Sequence, residues 1–192
     1  MPNETSSDLV GYLMGEAPIV GNGEEAPVVT VVAEPVPVAV AEPIMGETDS
    51  VVDGDMEDLM AHLKRIGMAA KNLHYRAKGK PFYGLHLLSD LVYEVERETD
   101  NLAEIYFLGE RGIEPPKMEE VCLKAATLPL DCAPGDKFFV SCLLVMCNRT
   151  MHKVEDIKKK APQLKSGVVA CLDQISQQLL LSIGLLDQTM KG

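Results

Sequence analysis

Between Leu85 and Tyr106 the chain carries two interleaved series at helical spacing, and they constrain the fold more than any other feature. Leu85, Leu88, Val92, Val95, Thr99, Leu102 and Tyr106 recur every three or four residues, the seam of an amphipathic helix. One position round, His86, Asp90, Tyr93, Arg97, Asp100 and Glu104 repeat with matching spacing. At ~100° per residue these six fall within ~40° either side of His86. A polar stripe beside an apolar seam is ordinarily the solvent margin of a helix. This one contains a histidine and three carboxylates, donors that suit iron. It is also symmetric about Val95: positions 86 and 104 average to 95, as do 90 and 100. Two copies crossing antiparallel on a twofold there would set His86 of one against Glu104 of the other, and Asp90 against Asp100. One short sequence would then make two identical sites.

Three further helices can be read around this one. The first opens at Asp53 or Asp55 as a cap and buries Met56, Leu59, Met60, Leu63, Ile66, Ala70 and Leu73. His74 lies on that same stripe, five turns after Met56, and Gly79 and Pro81 end the helix. The third runs from about Asp136 to Lys160, with Val140, Leu143, Leu144, Cys147, Met151, Val154 and Ile157 inward. Pro162 starts the fourth, where Val168, Leu172, Ile175, Leu179, Ile183, Leu186 and Met190 recur. The link from 109 to 135 is long enough to cross a bundle, and KMEEVCLKA within it can form two turns. Four helices with a long crossover after the second is the ferritin-like connection. The expected fold is therefore all-α, a ferritin-like four-helix bundle over 56–192 with a short extra helix in the crossover.

Residues 1–55 read differently. They hold eleven acids, no Lys or Arg, and six of the twelve prolines, which predicts a disordered acidic arm rich in Pro, Val and Ala. The net charge of −11 resides there, because 56–192 carries 18 acids against 18 bases. Such an arm repels phosphate, so DNA binding is not expected. DLVGYLMGE near the terminus offers apolar anchors on a tether, a candidate docking peptide for a protein partner. No positive segment leads into an apolar one at the start, and no run approaches 18 uninterrupted apolar residues; the expectation is a cytoplasmic protein without a membrane span. Five cysteines without a CxxC pair are expected to be reduced thiols behaving as small apolar residues. His62 is expected to be exposed, and His152 to pair with Glu155 or Asp156 at the surface.

NLHYRAKGKPFYGLHLLSD followed by DNLAE resembles the motif of the Dps proteins, the miniferritins that form hollow dodecamers. That motif has a histidine, then glycine five on, an aromatic eight on, a second histidine twelve on, an Asp four later, and Asp-x-x-x-Glu beyond. Here these are His74, Gly79, Phe82, His86, Asp90, Asp100 and Glu104. The resemblance covers about 56–190 and is specific over 74–104. It implies an iron-oxidising centre shared by two subunits, with peroxide or oxygen as oxidant and ferric mineral stored in the shell. His74, His86 and Asp90 would come from one subunit, and Asp100 and Glu104 from its twofold partner. Two departures fall inside the motif. Tyr75 stands where the family has Trp, and the Asp90–Asp100 gap is one residue short. A lost residue turns a helix by ~100°, and a shift of the twofold crossing about Val95 would offset part of it. No Glu-x-x-His occurs, which disfavours a di-iron site within one chain. The alternative functions are a cage or cargo protein with weak iron oxidation that docks through its tail, and a helical interaction module without a cage.

Overall fold

The computed structural model describes residues 47–79, 82–129 and 137–192, and the acidic arm through 46 lies outside them. Every regular element among them is helical: α1 (Glu47–Arg76), α2 (Phe82–Tyr93), a 3-10 helix (Glu94–Arg97), α3 (Glu98–Leu102), a π-helical stretch (Ala103–Arg111), α4 (Met118–Thr127), α5 (Phe138–Lys160) and α6 (Ser166–Lys191). The segments from Phe82 to Arg111 follow one another without a break and form a single rod. That rod packs with α1, α5 and α6 as a four-helix bundle, and α4 sits in the crossover against α1. This is the ferritin-like connection, with its extra helix.

The core is made of the seams read above. Met56, Leu59, Met60, Leu63, Ile66, Ala70 and Leu73 of α1 are buried, as are Leu88, Val92, Val95, Leu102 and Tyr106 of the rod. They meet Val140, Leu143, Cys147, Met151, Val154 and Ile157 of α5, and Val168, Leu172, Ile175, Leu179 and Leu186 of α6. Apolar stripes at this spacing each bury one face, which makes a bundle the stable solution. By length and composition α6 is also apolar enough to cross a membrane. Its inward seam is instead part of this core.

The boundaries differ from the sequence reading in three places. α1 begins at Glu47, so Asp53 and Asp55 lie inside it and act as ion-pair partners, not caps. Asp53 accepts from the Tyr106 hydroxyl at 2.6 Å and Arg111 Nε at 2.9 Å; Asp55 accepts from Lys153 at 3.3 Å and Lys160 at 3.0 Å. α6 starts at Ser166, because the chain first makes a turn in which Leu164 N–H donates to Ala161 O. The second helix is not uniform but winds tightly at 94–97 and loosely at 103–111. Glycines close two elements, Gly79 at φ 77° and Gly112 at φ 64°, a backbone region that favours residues without a Cβ.

Among the cysteines, Cys122, Cys147 and Cys171 are free, but Cys142 is disulfide-bonded. The expectation of five reduced thiols fails there. The lack of a CxxC pair says nothing about a bridge between more widely spaced cysteines. Burial pushes the Cys147 thiol up to about 12 and the Cys171 thiol up to about 11, so both behave as apolar residues.

His62 is half-buried on α1, not exposed. Burial lowers its pKa, assisted by the nearby Lys153, Arg149 and Lys124 and opposed by Asp58. In the unfolded chain it takes its proton near pH ~6.5; in the folded chain it does so only at lower pH. Below ~6.5 the unfolded state therefore binds more protons, and stability is lost as pH falls toward the folded value. We expect the melting temperature to fall less between pH 7 and pH 5 in a His62→Asn variant than in the wild type. Equal falls would assign the acid sensitivity to other groups.

Candidate metal centre

α1 and α2 together build a cluster from three side chains. His74 comes from the last turn of α1; His86 and Asp90 stand one turn apart on α2, on one face because four residues nearly complete a turn. Ligand atoms of His74, His86 and Asp90 all lie within 4.8 Å of one another. The His74 and His86 ring centroids are 3.7 Å apart at an interplanar angle of 35°. Asp90 Oδ1 lies 2.8 Å from His74 Nδ1. With the proton on Nδ1 donated to that carboxylate, the His74 Nε2 lone pair is left as the metal-facing donor, the usual way a carboxylate orients a ligating imidazole.

Ser89 supports this arrangement and was missed in the sequence. Its hydroxyl donates to His86 O at 2.6 Å and lies 3.4 Å from His74 Nδ1. It is buried between α1 and α2, which holds the two histidine-bearing segments together. A Ser one position before the ligand Asp90 was the available signal, but serines so placed are common in helices. Lys71, Tyr75 and Tyr93 border a shallow cavity of about 150 Å³ beside His74, Ser89 and Asp90. Lys71 Nζ lies 4.4 Å from the Tyr93 ring centroid, and Tyr75, at the position of the family Trp, meets the His74 ring edge-on at 5.4 Å. A larger hollow, about 680 Å³ between Leu73, Arg76, Leu85, Lys137 and Phe139, gathers no set of metal-ligand atoms.

Of the five residues singled out in the sequence, this cluster contains three. Asp100 and Glu104 lie farther along the same rod, both exposed and outside it. His152 is exposed and lies 3.6 Å from Glu155, as expected of a surface pair.

Two imidazoles and a carboxylate, half-open to solvent, form a cluster that could hold a metal ion, and the donor set suits a transition metal better than Mg²⁺ or Ca²⁺, which prefer all-oxygen shells. The fold is that of the miniferritins. The chain superimposes on an X-ray structure of Dps from Thermosynechococcus elongatus with a TM-score of 0.64 at 17% identity, over 74% of this chain and 92% of that one. A mutant of Mycobacterium smegmatis Dps1 gives 0.63 at 15% identity, over 76% and 99%. No protein-family model and no curated protein matches the sequence. The likeness is thus one of fold: a distant Dps-like miniferritin architecture.

Proposed function

We propose that this chain is a miniferritin-type iron oxidase and store, whose metal centre is completed between two copies. The observation that carries the reading is the half-built site. Three candidate ligands converge on one side of the rod, while Asp100 and Glu104 stand exposed on it and, among the described residues, join no such cluster. His86 and Glu104 are separated by ~27 Å of helix, so one copy cannot bring both to one ion. Leu87, Leu91, Ile105 and Leu108 are exposed along the same rod, apolar surface that a second copy would cover.

In this reading iron is the substrate. His74 Nε2 and His86 bind Fe²⁺, Asp90 orients His74 and shares the charge, and the partner's copies of Asp100 and Glu104 close the site. The carboxylates favour the ferric product because they neutralise its added charge. Two Fe²⁺ give one electron each to a peroxide, which takes two protons and leaves as two waters; dioxygen is the other oxidant class. Twofold pairs then assemble further into a closed shell, a dodecamer, that holds the mineral in a cytoplasmic setting. DNA has no part in this reading, and the acidic arm is left to a protein partner.

Purified Glu104→Gln protein tests it. Iron oxidation is expected to slow by about 10- to 100-fold, with helical content unchanged and the oligomer mass still that of a large closed assembly. Unchanged oxidation would move the site elsewhere. A discrete wild-type monomer at micromolar concentration would remove both shared site and cage. A large assembly that takes up no iron would favour the cargo-cage alternative.

A further inference from the structure

We propose that the 3-10 helix Glu94–Arg97, seated by Glu96 over Gly67, is a positioning device that winds Asp100 onto the same meridian of the rod as Asp90. The metal role of these carboxylates rests on the function proposed above; the winding does not. Asp90 and Asp100 are ten residues apart, which on a uniform α-helix leaves them ~80° apart around the axis. A 3-10 helix turns ~120° per residue against ~100°, so four such residues add ~80°. They also lengthen the rod by ~2 Å, at a rise of ~2.0 Å against ~1.5 Å per residue. The tight turn thus does what one extra α-helical residue would do.

The backbone and the packing both record this winding. Arg97 and Glu98 have ψ of −27° and −13°, and Glu98 N–H reaches back three residues to Val95 O. Leu102 and Ala103 return to α-helical ψ of −41° and −46°. Glu98 would stand ~120° from His86 on a uniform helix, at the flank; the added winding carries it to the opposite side, into the core. There it is 2% exposed, accepting from Gln174 and Gln178 of α6 at 2.9 and 2.8 Å. Asp100, two residues on, faces solvent.

α1 is shaped to receive the turn. A Cβ at Gly67 would fall 2.2 Å from Glu96 Oε2 and 2.9 Å from Glu96 Cβ, so only glycine lets the 3-10 segment approach this closely. Lys64, one turn earlier on α1, pairs with Glu96 Oε1 at 2.8 Å and fixes it there. None of Glu96, Gly67 and Lys64 belongs to the cluster; they act through the register of the rod.

Inserting one alanine between Glu96 and Arg97 of the full chain tests the device, read by melting temperature and by the visible absorption of bound Co²⁺ as an oxidation-resistant stand-in. In an ordinary helix the insertion would turn everything beyond it by ~100° and expose Leu102 and Tyr106. Here the 3-10 turn relaxes to α-helix and absorbs it. We expect a melting temperature within about 5 °C of wild type and Co²⁺ affinity within about threefold, against the 10- to 100-fold loss typical of a misoriented metal site. A larger drop in melting temperature, or failure to fold, overturns the register claim. Retained stability with a tenfold or greater loss of Co²⁺ affinity overturns its link to the metal face. If wild type binds no Co²⁺, the proposed site falls while the melting comparison still decides the winding. Gly67→Ala supplies the second variant. Co²⁺ affinity about tenfold lower at unchanged helicity and oligomer mass supports the seat, and unchanged affinity removes Gly67 and Glu96 from the device.

Discussion

Two variants that are each strongly impaired, His86→Ala and Glu104→Gln, are expected to recover about a quarter of wild-type iron oxidation when co-assembled. The number follows from the symmetry of a shared site. In the proposed arrangement each twofold pair would hold two sites, each taking His86 from one copy and Glu104 from the other. In a mixed pair, one site receives both substitutions and the second receives neither. Random assembly makes about half of the pairs mixed, and half of their sites are intact. Both variants are denatured together, refolded and compared with the same preparations mixed without unfolding. No recovery beyond the sum of the parents would mean that His86 and Glu104 serve one copy, or different sites. The experiment needs no absolute rate, so it separates an intersubunit site from a weak intrasubunit one.

The bundle was legible because each helix repeats a burial rule many times over. The apolar spacing sustained along α1, the rod, α5 and α6 requires partners for every helix, and a single misplaced Leu144 or Met190, half-buried here, leaves the pattern intact. His74, His86 and Asp90 were legible for a related reason, since His74 shares a stripe with Leu73's helix and Asp90 is one turn from His86. The winding of the rod was not. A constant ~100° per residue was assumed across 94–111, and both the tight and the loose segments depart from it. That assumption puts Glu98 on a flank, and Gln174 and Gln178, which meet it from the edge of the α6 seam with Gln174 exposed and Gln178 half-buried, look in the sequence like ordinary surface amides. It also left the short Asp90–Asp100 gap to a partial offset by the dimer crossing, whereas the winding proposed above would take up the missing residue within the rod.

Replacing Glu98 is expected to cost more stability than any substitution at the metal cluster. Its carboxylate is nearly inaccessible and accepts from Gln174 Nε2, Gln178 Nε2 and Asn101 Nδ2 at 2.9, 2.8 and 2.9 Å. Hydrogen bonds to a charged acceptor contribute ~1.5–3 kcal/mol each, while a buried amide left without its partner costs ~1–3 kcal/mol. Glu98→Ala removes the acceptor from all three amides and opens space beside α6, and neighbours cannot fill the gap fully in a packed bundle. Gln174 is exposed and Asn101 and Gln178 are half-buried, so water takes over part of these bonds; a loss of ~3–5 kcal/mol is expected, or roughly 10 °C or more in melting temperature for a chain of this size. Glu98→Gln keeps the volume but turns one acceptor oxygen into a donor facing other donors, so it should lose roughly half as much. The residues of the candidate cluster behave in the opposite sense: Asp90 is mostly exposed, and Asp90→Ala should change the melting temperature by no more than about 2 °C. Thermal scans at one protein concentration and pH 7 make the comparison. A Glu98→Ala protein as stable as wild type would show that the amides find other acceptors, and that burial of this carboxylate is incidental to how the rod meets α6.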